Sequence, residues 1–410
     1  MSHQHWTEFG LRGLPPMSAR TETPMPPPLQ PLVNERIALL PDPLRGITTS
    51  GTPIEGLFPL HSTGVETRAM AETAQAFLAA LGPDQRAKAI FPLDAAERRT
   101  WINVHMYLFR HGVLLDDVPA PTRHLALELL RTTLSARGYG LAQDLMRLNQ
   151  FLADFTGSPD EYGQWAYFVS IFGDPSNGEP WGWQLDGHHL NLNVTIVGDQ
   201  LVITPMFLGS EPTSIHAGPY AGTQVFVTEE QAGLQLVRSL DTGQAAKAIV
   251  RSSIHPEDLP RELQHPLDGR MQGGAFHDNA VMPSMGVKAT DLSDGQRRLM
   301  LNLASVYVGY TREGHNEYRM EEVAAHLDET WFSWMGATND HGAFYYRLHS
   351  PVVLIEFDHH PGVVFDNDVP SRNHVHTLVR TPNGGDYGAD LLRQHHDQFD
   401  HSDGHHHPRH

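Results

Sequence analysis

From Leu190 to Ile196 the chain alternates without a break: Leu190, Leu192, Val194 and Ile196 against Asn191, Asn193 and Thr195. A two-residue period puts successive side chains on opposite faces of a β-strand, so this segment demands a sheet with one apolar and one polar side. His189 continues the polar set. A solvated antiparallel face gives the same alternation. Such faces usually carry Lys, Glu, Thr and Arg, whereas His and Asn suit a partly buried face that contacts something. On strict parity Asp186 and His188 fall on the apolar side, which buries them unless Gly187 marks a bulge.

The surrounding pattern predicts an α+β fold, a largely antiparallel sheet with helices packed on one face and around its edges. "WGWQLDGHHLNLNVTIV" and "QLVITPMFLG" read as two long strands joined by a Gly198-Asp199 turn. "AFYYRLHS", "VVLIEFDHH" and "HVHTLVRT" read as further strands. Helical spacing marks "ETRAMAETAQAFLAALG", "TRHLALELLRTTLSARG", "EEQAGLQLVRSL" and "SDGQRRLMLNLASVYVGY", the last capped by Ser293 or Asp294. "MEEVAAHLDETWFSWMG" reads as helix up to Gly336. The expected organisation is a Pro-rich, partly extended arm over residues 1–62, one domain over 63–396, and a disordered His-rich tail over 397–410. No internal repeat is evident.

Composition narrows the function classes. A net charge of −19 argues against a nucleic-acid surface, which needs concentrated Lys and Arg. With no cysteine there is no disulfide framework, thiolate site or cysteine nucleophile. No apolar run approaches a membrane span, and the N-terminus lacks the pattern of a signal peptide, so a soluble, cytoplasmic protein is expected. Oligomeric state is left open. The chain has 27 histidines, several of them in the tail.

The histidines within periodic segments are the informative ones. His374 and His376 alternate onto one side of a strand, a rigid way to offer a metal two imidazoles. Glu356 ends the apolar run "VVLIEF", where a carboxylate without partners costs several kcal/mol. It reads as a ligand, as an acid orienting a metal-bound imidazole, or as half of a salt bridge with Arg347 or Arg380. Asp358, His359 and His360 read as the exposed start of a loop.

Together His189, His374, His376 and Glu356 form a candidate site for a divalent metal, with zinc, iron and manganese all compatible. A hydrolase that activates metal-bound water against a small, anionic substrate is the leading expectation. In it Glu356 is a ligand or the base, Asp186 or His188 shuttles protons, and Arg347 and Arg380 hold the anion. Trp183, Asn191, Asn193 and Tyr387 are candidate substrate-binding residues. A non-haem iron(II) oxygenase built on the same residues, a non-catalytic metal or small-molecule binding protein, and a metal-free polar core are the alternatives.

Gly-His-His, Tyr-Tyr-Arg, Ile-Glu-Phe, His-Val-His and Asp-Tyr-Gly occur in that order, together with "TWINVHMYLFRHGVLLDDV" and "WFSWMG". On these segments the chain resembles the family catalogued as domain of unknown function 3500, over roughly residues 65–396. The resemblance implies that the segments belong to one domain, and it implies no reaction. Many relatives carry export signals, which this sequence does not show.

Overall fold

The computed structural model describes residues 17–22, 24–105, 107–264, 268–365 and 367–400, with the side chains of 399 and 400 excepted. Of the predicted His-rich tail over 397–410, residues 397–400 close a helix, Ala389–Asp400, and the rest lies outside the described residues, as does the first part of the Pro-rich arm. The described part of the arm includes a helix, Gln30–Ile37, and buries Met17 and Leu29 against Ile102 and its neighbours.

Twelve strands form one mixed, mostly antiparallel sheet: β1 (Ile90–Phe91), β2 (Val113–Leu114), β3 (Tyr167–Phe172), β4 (Trp181–Gly187), β5 (Leu190–Val197), β6 (Gln200–Ser210), β7 (Ile249–Arg251), β8 (Val287–Lys288), β9 (Trp331–Gly336), β10 (Phe344–His349), β11 (Leu354–His359) and β12 (Val375–Arg380). The order across it is β1-β3-β4-β5-β6-β12-β11-β10-β9-β7, with β2 on β3 and β8 on β9. One face is apolar. Trp183, Leu185, Leu192, Val194, Trp334, Tyr346, Ile355 and Phe357 project from it into a core shared with Phe77, Leu130, Leu145, Met300 and Leu303 of the helices. This is the expected α+β arrangement.

Two sequence expectations fail. "DETWFSWMG" does not extend a helix: the helix His315–Ala325 ends first, and Trp331–Gly336 is β9, paired with β10. Alternation of Trp331, Ser333 and Met335 with Phe332 and Trp334 suits a pleated strand, and pairing on both sides of β9 overrides the helical propensity of the preceding residues.

The second failure is larger, because the chain is internally repeated. Helices Arg68–Ala79 and Pro83–Ala89, β1, β2, helices Ala120–Thr133 and Ala136–Thr156, and β3 to β6 are followed by the same succession: Val227–Arg238, Thr242–Ala248, β7, β8, Asp294–Val308, His315–Ala325, and β9 to β12. The pairings repeat too. β1 is parallel and β2 antiparallel to β3, as β7 and β8 are to β9. Ser170, Gln184 and Asn193 stand in one cross-strand row, matched by Ser333, Arg347 and Glu356. Met206 faces Val379 where β6 meets β12, on the pseudo-twofold axis that relates the halves. Two short signals survive in sequence: Ala-Lys-Ala-Ile at 87–90 and 246–249, and Gly112-Val113 and Gly286-Val287. Both of these glycines have φ near +100°, at +93° and +103°, where other residues are strained.

In each half the segment between the two short strands crosses the polar face of the sheet. Arg98 and Ile102 of the first such segment hydrogen-bond Gln184 and Asp186 on β4 and Asn191 on β5, and Gln272, Gly273, Gly274 and Pro283 of the second bond Arg347, Glu356 and Arg380 on β10 to β12. The polar face is therefore interior, and most polar side chains on it are paired within the protein.

Candidate metal centre

The opening stretch is two strands, not one. β4 ends at Gly187 and β5 begins at Leu190, so His188-His189 is a two-residue hairpin turn. The turn resets parity: Asp186 shares the polar face with Gln184 and Asn193. His189 has φ +57°, a left-handed conformation uncommon for a residue with a Cβ. It is pinned from two sides, its N–H donating to the Asn103 carbonyl (3.0 Å) and its carbonyl accepting from Gly209 N–H (2.8 Å). Strain fixed in this way recurs at functional sites.

β12 approaches from the other half. Val375 points into the helix-packed core, while His374 and His376 point to the interior polar face. The Nε2 atoms of His189 and His374 lie 3.2 Å apart, those of His374 and His376 3.0 Å, and those of His376 and His189 3.4 Å. Corners of such a triangle lie about 1.9 Å from its centre, so a point about 1 Å off its plane is ~2.1 Å from all three, the zinc–imidazole distance. Among the described residues this is the cluster of metal-binding side chains whose ligand atoms converge.

The protonation pattern suits the geometry. His189 Nδ1 meets the Asn103 carbonyl at 2.8 Å and His374 Nδ1 meets the Pro361 carbonyl at 2.7 Å. A carbonyl only accepts, so each Nδ1 carries the proton and each Nε2 keeps its lone pair for the shared point. Burial, reinforced by the neighbouring imidazoles, holds His376 and His189 well below the usual histidine range, so both stay neutral.

Further histidines surround the triad. The His188 ring lies 4.0 Å from that of His189, with Nδ1 on Asn149 Oδ1 (2.8 Å), and burial keeps it neutral as well. His360 is not exposed. Its ring centre lies 3.8 Å from that of His376, tilted by 39°, and its Nε2 is 2.8 Å from Asp358, which Arg270 also holds. Asp358 and His359 are likewise fully buried rather than the start of a solvated loop.

Glu356 does not join the triad. Its carboxylate accepts from Gln272 N–H (3.0 Å), Gly273 N–H (2.9 Å) and the Tyr345 hydroxyl (2.6 Å), and burial raises its pKa. Two positions separate it from the row of His376, whose partner on β11 is Asp358. The predicted anion holders are engaged elsewhere. Arg380 donates to the carbonyls of Gly273 and Gly274 and to Asp278 and Asp386. Arg347 lies beside Glu356 and donates to Gln272 Oε1 and the Pro283 carbonyl.

The remaining predicted residues divide. Trp183 is in the helix-packed core, on the opposite face of the sheet, because it has the parity of Leu185. Tyr387 bridges Trp101 Nε1 and Asp278, a structural position. Asn193 is held by Gln184 and the Pro205 carbonyl. Asn191 Nδ2 donates to Asp186 and to the carbonyls of Ile102 and Gly187, leaving its Oδ1 unpartnered. Asp186 accepts from Asn191 and Ile102 N–H, and burial lifts its carboxyl to about 7. Asn103 had no sequence signal beyond its place in the segment "TWINVHMYLFRHGVLLDDV".

A family described as "Protein of unknown function (DUF3500)" matches residues 63–389. No curated protein and no solved structure matches the chain. Among the described residues no helix is long and apolar enough to cross a membrane.

Proposed function

Because this chain belongs to the DUF3500 family, and that membership specifies no reaction, we propose its function from the geometry: a metal-dependent hydrolase in which His189, His374 and His376 hold a divalent metal and leave a position for water. The observation that carries the reading is the convergence of three Nε2 atoms, with two of the rings fixed by Nδ1–H bonds to carbonyls. Three protein ligands with an open fourth position is the arrangement of catalytic zinc, and a metal so held lowers the pKa of its water to about 7.

Three imidazole ligands favour zinc, or iron among the other candidates, over manganese, which prefers carboxylate oxygen. A two-histidine, one-carboxylate iron oxygenase is less well supported, since Glu356 is turned away and engaged. Asp186, with a carboxyl near neutrality, is the group suited to take a proton from the bound water, while His188 is held neutral against Asn149.

The test is elemental analysis of protein lacking residues 401–410, purified without a metal-affinity step. The reading expects close to one zinc-type ion per chain, lost in His374→Ala and His376→Ala, and a melting temperature lowered by chelator. Binding at a thousandfold excess over Kd stabilises by about 4 kcal/mol, so the shift should amount to several degrees. No stoichiometric metal together with chelator-insensitive melting would remove the proposal. Stoichiometric metal without turnover across ester and amide substrates would favour a binding protein.

A further inference from the structure

The polar side of the sheet leaves several buried atoms without a hydrogen bond, Ser333 Oγ, both ring nitrogens of His349 and His376 Nδ1 among them, and three amide atoms belong to residues tied to the triad's surroundings. Both amide atoms of Asn103 are unpartnered although the residue is only 1% exposed, and so is Oδ1 of Asn191, which is fully buried. Asn103 lies against the candidate ligand His189, whose N–H and Nδ1 both meet its carbonyl. Asn191 is tied by its Nδ2 to the carbonyl of Ile102, the residue before Asn103. Leaving such groups unsatisfied costs free energy that folding normally avoids, so unpartnered amides in one place mark where another molecule supplies the partners.

The chemistry of that molecule follows from which groups are free. The buried guanidinium groups near the face are engaged: Arg270 on Asp358 and the carbonyls of Ile254 and His359, Arg347 on Gln272 and Pro283, and Arg380 on Asp278, Asp386, Gly273 and Gly274. Apart from His376 Nδ1, the unpartnered atoms beside the triad are two amide oxygens that accept and one NH2 that donates, all neutral. Carbonyl oxygens repel an anion and attract an N–H or O–H. The small anionic substrate expected from sequence is therefore not what these groups fit.

We infer that Asn103 and Asn191 are the substrate-recognition pair of this centre, and that they take a small uncharged molecule with a donor and an acceptor side by side, as in a primary carboxamide. The inference rests on the metal reading for its link to turnover. The recognition itself can be measured without metal. Asn103→Leu is the informative variant, because it removes the amide at nearly constant volume and breaks no hydrogen bond made by that side chain. Removing an unsatisfied buried amide should raise the melting temperature while weakening recognition.

The experiment uses full-length protein loaded with cobalt(II), with acetamide and azide as probes of the cobalt absorption bands. Acetamide is expected to perturb the bands saturably in the wild type, with about tenfold or greater loss of affinity in Asn103→Leu. Azide, which binds the metal directly, should be equally effective on both. A cobalt spectrum that ignores acetamide, or an Asn103→Leu protein that binds it as well as the wild type, overturns the inference and leaves the metal reading standing. If cobalt does not bind, the metal reading falls, and saturation-transfer NMR on the metal-free chain decides the inference separately. Transfer to acetamide but not to acetate, lost in Asn103→Leu, supports it. Equal or stronger transfer to acetate, or none to acetamide, overturns it.

Discussion

Gly209 stands directly opposite His376 where β6 pairs with β12, and a Cβ at that position would lie 3.1 Å from the imidazole Cδ2 and 2.8 Å from the Val375 carbonyl oxygen. The backbone contact cannot relax without moving β12. Gly209→Ala is therefore expected to cost about 1–3 kcal/mol and to displace His376 from the triad. Denaturant melts should show the loss, and metal affinity should fall with it. Unchanged affinity would mean that His376 is not a ligand.

Glu356 and the triad are separable by mutation. Glu356→Gln keeps an acceptor for Gln272 N–H but puts an NH2 group among donors, so a loss of about 1–3 kcal/mol is expected. The metal content should not change. If the ion is lost while the fold persists by circular dichroism, Glu356 is a ligand after all.

Arg380 distinguishes a substrate-binding arginine from a structural one. Its removal leaves Asp278 and Asp386 buried without their shared cation, although Arg99 still meets Asp278. Arg380→Ala should destabilise by about 3–5 kcal/mol. An anion-binding arginine would instead raise KM in a protein of ordinary stability.

Acid should weaken the metal-free protein. Burial keeps His188, His189 and His376 well below the ordinary histidine value and His360 at about 4, so below pH ~6.5 the unfolded chain binds protons that the native state refuses. Stability then falls as pH drops from ~6.5 toward 4, each histidine contributing a slope of up to about 1.4 kcal/mol per pH unit. Asp186, raised to about 7, and Asp386, raised to about 6, act in the opposite sense between ~3.8 and those values, because the native state holds their protons. Glu356, also raised, joins the carboxyls, while burial lowers His111, His315, His349 and His359 as well, so the histidines outnumber the carboxyls. Urea melts from pH 7 to 4.5 should show the midpoint falling, and a flat profile would contradict the buried, neutral assignment.

Much of the site was legible because strand periodicity is local. Alternation assigned His189, Asn191 and Asn193 to one face, and His374 and His376 to one side of another strand. Periodicity failed where a turn intervened: His188-His189 reverses the chain, so Asp186 joined the polar face that strict parity denied it. It also failed for Glu356, since the face of a strand does not tell which row along it a side chain occupies. That row is set by register with β10 and β12, and the register places Asp358, not Glu356, opposite His376.

By itself the sequence determined the α+β class, the two-faced central strands and the histidines that alternate along them, because these depend on side-chain spacing within a single element. Only the tertiary structure decided the rest. The internal repeat was hidden because matching positions need keep only their face and not their identity, as Gln184 and Arg347 show. The polar face proved interior because segments far away in sequence fold over it. The three imidazoles meet because β12 of the second half docks on β6 of the first, bringing together residues 185 and more positions apart through backbone pairing.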